Sequence, residues 1–360
     1  MISALPKHHA VALALTLALC SCGPSSKTSA SSPAYPAGAP LRIDAPLGLP
    51  PVPYPTDNPP TAETVALGRK LYYDVRLSRN NTLSCASCHN PTLGFADGQR
   101  VSRGVGGKVG SRNALTILNA AYDRSQFWDG RAASLEDQAA GPMANPVEMD
   151  QPHDVSVAKL NSIPAYRLDF EKAFGPGKIT LTRIEKALAS FERTLLSGNS
   201  PFDRYQYGGE KTAMTPAAIR GLAVFRDKTR SNCATCHTIG DKYALFTDGK
   251  FHNIGIGVDS NGDLTDLGRY NLTKIEADKG AFRTPTLRNV AKTAPYMHDG
   301  SEKTLRDVVD YYAGGGNSNP YLDKEIQPLN LTGTDRADLV AFLESLTGDT
   351  PSNSAPPTTP

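Results

Sequence analysis

The 360-residue sequence has no excess of charge of either sign: 38 Lys and Arg stand against 36 Asp and Glu, a formal charge of +2. That balance removes the electrostatic reason to expect nucleic acid or an anionic membrane surface as the main partner. There is also no apolar run long enough to span a bilayer. The apolar stretch Ala10 to Leu19 is too short, and behind Lys7, His8 and His9 it has the flanks of a signal peptide. Strand signals are sparse, tryptophan occurs once, at Trp128, and cysteine six times.

Cys20 and Cys22 close the apolar stretch, and Leu19-Cys20-Ser21-Cys22-Gly23 approximates a bacterial lipobox. Residues 1–22 are therefore expected to be a signal peptide, with Cys22 the candidate lipidated N-terminus and simple secretion the alternative. The expected location is the periplasm, with a lipid anchor as the only membrane attachment.

The other four cysteines form two identical patterns, Cys85-Ala86-Ser87-Cys88-His89 and Cys233-Ala234-Thr235-Cys236-His237. Two thiols at this spacing add across the vinyl groups of a haem, and the histidine that follows reaches the iron. A four-cysteine zinc site needs no histidine after each pair, a thioredoxin-like motif does not come twice with one, and two disulfides leave the repeat unexplained. Two covalent haem c groups are expected, and no cysteine remains for a structural disulfide.

Each pair follows an apolar pattern at helical spacing, Thr64 to Tyr72 with Gly68 and Ala217 to Phe225 with Gly221, so the haem module is duplicated. Further helices are expected at Ser134 to Ala140, Ile184 to Leu196, Thr304 to Tyr312 and Thr334 to Leu346, the last capped by Thr334 or Asp335. Ile184 to Leu196 should bury one face and bridge the halves. The fold class is mainly α, loop-rich, with two cytochrome c-like haem domains in tandem. The expected layout is a flexible Pro/Ser/Ala-rich linker over 23–60, domains over 61–205 and 206–346, and a disordered tail over 347–360. The final helix is expected to pack back toward the first domain. Gly255 to Gly262, with Asp259 and Asp263, lacks the terminal Glu of an EF-hand and reads as a turn-rich connection.

Candidates for further axial ligands are His153, His252, His298, Met143, Met149, Met214, Met297 and Tyr312, and spacing does not choose among them. A resemblance narrows the choice. Gln126-Phe-Trp128-Asp-Gly-Arg131 through Leu135 and Gln138 to Glu148-Met149, Phe251-His252-Asn253, Arg283-Thr-Pro285-Thr-Leu287-Arg-Asn289 and Ala294-Pro295-Tyr296-Met297-His298-Asp299-Gly300 resemble the signature of the bacterial dihaem cytochrome c peroxidase and MauG family. The resemblance implies that the His89 haem meets peroxide, with Glu148 and Gln138 as its distal residues and Trp128 as a relay between haems. It implies that the sixth ligand of the His237 haem falls at Tyr312, where the peroxidases carry Met and MauG carries Tyr; Met297 is the weaker candidate. It also implies a calcium ion held by Asn113 and the backbone carbonyls of Thr293 and Pro295. The loop Ser102 to Gly110, which in the peroxidases carries a removable distal histidine, has none here.

The expected function is reduction of hydrogen peroxide to water at the N-terminal haem, with electrons relayed through the C-terminal haem from a small cytochrome c or cupredoxin. The alternatives are MauG-like oxidation of side chains on a partner protein and non-enzymatic electron carriage by two six-coordinate haems. Self-association into a homodimer is left open.

Overall fold

The computed structural model describes residues 35–358; the expected signal peptide and lipobox over residues 1–22 lie outside them. Among the described residues no helix is long and apolar enough to cross a membrane. The architecture is helical: α1 (Ala62–Tyr72), α2 (Leu135–Ala144), α3 (His153–Ser162), α4 (Pro164–Phe174), α5 (Leu181–Glu192), α6 (Pro201–Gln206), α7 (Pro216–Arg226), α8 (Leu305–Ala313) and α9 (Gly333–Glu344), joined by long loops and single helical turns. The sheet is one antiparallel pair, β1 (Phe251–His252) with β2 (Phe282–Arg283). Buried apolar side chains form two clusters, one drawn from Leu67 to Leu195 and the other from Phe202 to Leu346.

Both clusters are built on the same helix crossing. A Cβ on Gly68 would come 1.9 Å from the carbonyl oxygen of Ala187 and 2.8 Å from Phe191 Cβ; on Gly221 it would come 1.9 Å from the carbonyl of Asp338 and 2.8 Å from Phe342 Cβ. Only glycine lets α1 approach α5, and α7 approach α9, this closely. The helices begin where polar side chains can satisfy their free amides: Ser134 accepts from Asp137 N, Thr304 from Asp307 N, and Ser200 exchanges bonds with Asp203. The cap of α9 is Thr332, with Asp335 reciprocating at the third position, so it starts slightly earlier than expected. Helix α9 packs on α7 and α8, within the second cluster. The expectation that it returns to the first domain is therefore wrong: its apolar face is used up by the glycine crossing. Helix α5 likewise stays within the first cluster, buried on all sides, and does not bridge the halves.

The tail makes that return instead. Asp349 N donates to Gly198 O, Tyr73 Oη and Ser354 O are hydrogen-bonded, and Arg69 Nε donates to Ala355 O. The segment expected to be a flexible spacer is also engaged. Arg288 and Asp203 form an ion pair at 1% and 0% side-chain exposure, and Arg288 Nη2 also donates to Gly48 O at 2.6 Å. A buried guanidinium needs acceptors for its N–H groups, and the chain at Gly48 supplies one at φ +88°, where a Cβ would collide with Asp203. Pro- and Ser-rich composition does not disclose such a contact.

The two glycine crossings predict that Gly68→Ala and Gly221→Ala each lower stability by about 1–3 kcal/mol or more through overpacking. Gly333→Ala, whose Cβ would meet nothing within 4 Å, should leave denaturant unfolding of the haem-loaded protein nearly unchanged.

Candidate functional site

A second internal repeat, with a spacing of 170 residues, shapes the region between the clusters. Asn119 and Asn289 both take left-handed φ before a 3₁₀ turn, Phe127 and Met297 both have positive φ, and Gly130 and Gly300 do likewise. The isolated bridge Gln126 to Ala132 is repeated as Tyr296 to Glu302. Its sequence trace is Asp-Gly followed, after four residues, by Leu at 135 and 305. This frame aligns Trp128 with His298 and Pro142 with Tyr312.

Each module opens a cavity. The first, of about 540 Å³, is lined by Cys85, Cys88, His89, Gln138, Pro142, Glu148, Glu192 and Trp128 among others. The second, of about 220 Å³, is lined by Cys233, Cys236, His237, Trp128, Met297, His298 and Tyr312 among others. None of the four cysteines forms a disulfide. His89 Nδ1 lies 3.0 Å from Leu115 O and 3.3 Å from Phe95 O, and His237 Nδ1 lies 2.8 Å from Phe246 O. Carbonyls only accept, so Nδ1 carries the proton and Nε2 keeps its lone pair for iron. Burial pushes both imidazoles below their ordinary pKa, which favours the neutral, ligating form. Thiols, tautomer and cavity fit a covalent haem in each half.

Trp128 borders both cavities. Its Nε1 donates to Asn113 O at 2.9 Å, and its ring stands edge-on to that of His298 at 6.4 Å between centroids. His298 in turn stacks on Phe282 at 3.6 Å. In the first cavity the loop Ser102 to Gly110, which lacks a histidine, packs against the turn that carries Glu148: Val105 N donates to Glu148 O, and Lys108 Nζ to Pro146 O. Glu148 Oε1 accepts from Asn145 Nδ2 at 2.7 Å, while burial holds its carboxyl above the ordinary carboxylate range. Gln138 lines the same cavity. Met143 and Met149 border this cavity but belong to the apolar core.

His153 donates or accepts nothing toward the cavity; its Nε2 is 2.8 Å from Ala140 O. Met214 is core in the second cluster. His252 is held between Asp323 at 2.6 Å and Asp248 at 3.0 Å. In the second cavity Tyr311 Oη donates to Ile254 O, whereas Tyr312 has no hydrogen-bond partner for its hydroxyl among the described residues. Burial drives that phenol well above its ordinary pKa, a cost that a ligated metal removes. Asn113 donates through Nδ2 to Gln99 O at 2.9 Å, its Oδ1 receives no donor among the described residues, and Thr293 and Pro295 line the same cavity. The Gly255 to Gly262 connection is a turn in which Asp259 accepts from the amides of Asn261 and Asp263. Sequence reading missed Pro142, to which the Asp-Gly repeat points, and Glu192, which only the helix crossings locate.

Residues 62–212 match the di-haem cytochrome c peroxidase family, and residues 218–347 match cytochrome c. The methylamine utilization protein MauG of Methylorubrum extorquens is 42% identical over 296 residues, covering 82% of this chain and 81% of that protein. The cytochrome c551 peroxidase of Pseudomonas aeruginosa is 40% identical over 290 residues, covering 79% of each. A solved MauG-like protein associated with microbial copper homeostasis superposes with a TM-score of 0.78 at 33% identity, covering 88% of this chain and 98% of that one.

The site geometry predicts that replacing both thiols of one pair, Cys85→Ala with Cys88→Ala or Cys233→Ala with Cys236→Ala, halves the covalent haem. Intact-protein mass spectrometry should show the loss of one haem mass in each case, and retention of two would contradict the assignment.

Proposed function

We propose, from the premise that this chain belongs to the bacterial di-haem cytochrome c peroxidase family, that it reduces hydrogen peroxide to water in the first cavity with electrons that arrive through the second. The chain is an oxidoreductase of the cytochrome c peroxidase type carrying two covalent haem c groups. Bound haem iron supplies the site where peroxide is ligated and its O–O bond polarised. The residues around it do the rest.

The observation that carries this reading is the inequality of the two cavities within one repeated frame. Where the second cavity presents Tyr312, the first presents Pro142, whose side chain has no atom to ligate iron, and the loop from Ser102 to Gly110 has no histidine. The first cavity keeps a face for substrate. There Glu148, protonated more readily than a solvated carboxyl, moves a proton from the near to the far peroxide oxygen, and the Gln138 amide orients the substrate. Trp128, on the wall of both cavities, serves as the relay between them. Tyr312, with His237, would hold the iron of the second haem, and an anionic oxygen ligand would favour oxidised iron more than a thioether does. Asn113 Oδ1 with the carbonyls of Thr293 and Pro295 offers the hard oxygen set that suits Ca²⁺.

Tyr312 also favours a second reading, in which the oxidising equivalents are spent on side chains of a partner protein, as its likeness to the MauG protein suggests. Steady-state turnover of peroxide with reduced cytochrome c, set against a mass-spectrometric search for an oxidised partner, separates the two.

Glu148→Gln should slow the reaction with peroxide by about 10²–10⁴-fold, the range of a lost general acid–base group, while both haems stay attached. Stopped-flow absorbance measures it, and an unaffected rate would remove Glu148 from the chemistry. In electron paramagnetic resonance of the ferric protein one haem should be high-spin and one low-spin. Tyr312→Phe should change the low-spin signal alone, and an unchanged spectrum rejects that ligand.

A further inference from the structure

Besides Glu148, the first cavity is lined by Asp123 and Asp129, each paired with arginine, and by Glu192, a carboxyl that the peroxide chemistry does not use. Glu192 ends α5, is 6% exposed, and lines the cavity beside Leu188. No hydrogen bond or ion pair reaches its carboxyl oxygens among the described residues. Its neighbour Arg193 is no counter-ion, because both terminal nitrogens are committed to Glu136, at 2.7 and 2.9 Å, and Glu136 is also bound by Asn58. The other groups facing Glu192 are Tyr72 of α1, whose hydroxyl donates to His89 O, and Cys85, a neutral thioether once haem is attached. Burial pushes the Glu192 carboxyl up to about 8; Arg193 opposes this and Glu136 adds to it.

Packing gives no reason for a carboxyl here. The two glycine crossings align Ala187 with Asp338 and Phe191 with Phe342, so Glu192 falls opposite Leu343, which lines the second cavity. Leucine satisfies the fold at that point, whereas an unpaired buried carboxyl costs it stability. The polar choice is confined to one cavity.

We propose that Glu192 is the proton-holding carboxyl of the first haem cavity, coupling one-electron reduction of that haem to uptake of one proton. Glu192 gains a proton from solvent, forming its O–H bond, as the iron beside it gains an electron from the donor. It releases the proton as the electron leaves. The ionised carboxyl offsets the extra positive charge of oxidised iron, and the neutral acid accompanies reduced iron. Raising the pH favours the ionised and hence the oxidised state, so the potential falls with pH. Over the coupled window the equilibrium constant changes tenfold per pH unit, about 59 mV for one electron. The coupling follows from haem attachment at Cys85 and Cys88 and holds whichever cavity meets peroxide.

Spectroelectrochemical titration of the full-length, haem-loaded protein between pH 6 and 9 tests this. One of the two potentials should fall by up to tenfold in equilibrium constant per pH unit. Glu192→Gln and Glu192→Leu, the latter copying the second cavity, should each flatten that dependence and leave the other haem's potential and both haem attachments intact. The reciprocal Leu343→Glu should confer a pH dependence on the second haem. A slope that survives both Glu192 variants, or wild-type potentials that do not change with pH, overturns the proposal. Wild-type potentials that stay flat with pH overturn it even where a variant fails to fold.

Discussion

The two halves meet through an exchange of backbone hydrogen bonds: Asn113 N donates to His298 O at 2.7 Å, and Arg283 N donates to Trp128 O at 2.8 Å. Donors and acceptors are each 170 residues apart, so the exchange has approximate two-fold symmetry. It holds the Trp128 indole on the wall shared by the cavities and brings the His298 ring against it. Charge pairs brace the same seam: Arg112 spans Asp129 of the first half and Asp266 of the second, and Arg283 reaches Asp123. These groups are largely removed from water, so removing one partner would strand the other, at a cost of roughly 3–5 kcal/mol for a buried pair. The position of Trp128 on both cavities depends on this seam.

Within the symmetric frame, the proposed function rests on departures from symmetry. Trp128 faces His298, Pro142 stands for Tyr312, and Glu192 stands for Leu343. Each exchange changes the side chain that a cavity wall presents: a phenol or a pyrrolidine ring, a carboxyl or an isobutyl group, an indole or an imidazole. A scaffold that repeats tolerates this because the glycine crossings and the left-handed turns carry the fold, and the cavity walls are free to differ.

Legibility followed the range of the interactions. Haem attachment is a five-residue pattern whose chemistry is local, and the helices with strong apolar spacing stood out for the same reason. Helices α3 and α4 were missed although Tyr166, Phe170, Ala173 and Phe174 mark a buried stripe on α4 behind Pro164 at its first turn. The ordered segment around Gly48 was not legible, because its order comes from the Arg288–Asp203 pair about 155 to 240 residues away in sequence. The destination of α9 depended on which partner its stripe met, and an apolar stripe does not name its partner.

By itself the sequence determined that the protein carries two haems on duplicated helical modules, because thiols, histidine and helix spacing act over a few bonds or turns. Only the tertiary structure decided which side chains line the two cavities and which of them are left without partners. It turned Tyr311 to the Ile254 carbonyl and left Tyr312 on a cavity wall, put Trp128 on both cavities, and left Glu192 without a partner while its neighbour Arg193 was taken by Glu136. Those outcomes depend on which long-range groups compete for the same hydrogen bonds in a space closed to water, and that competition is settled only when the chain is packed.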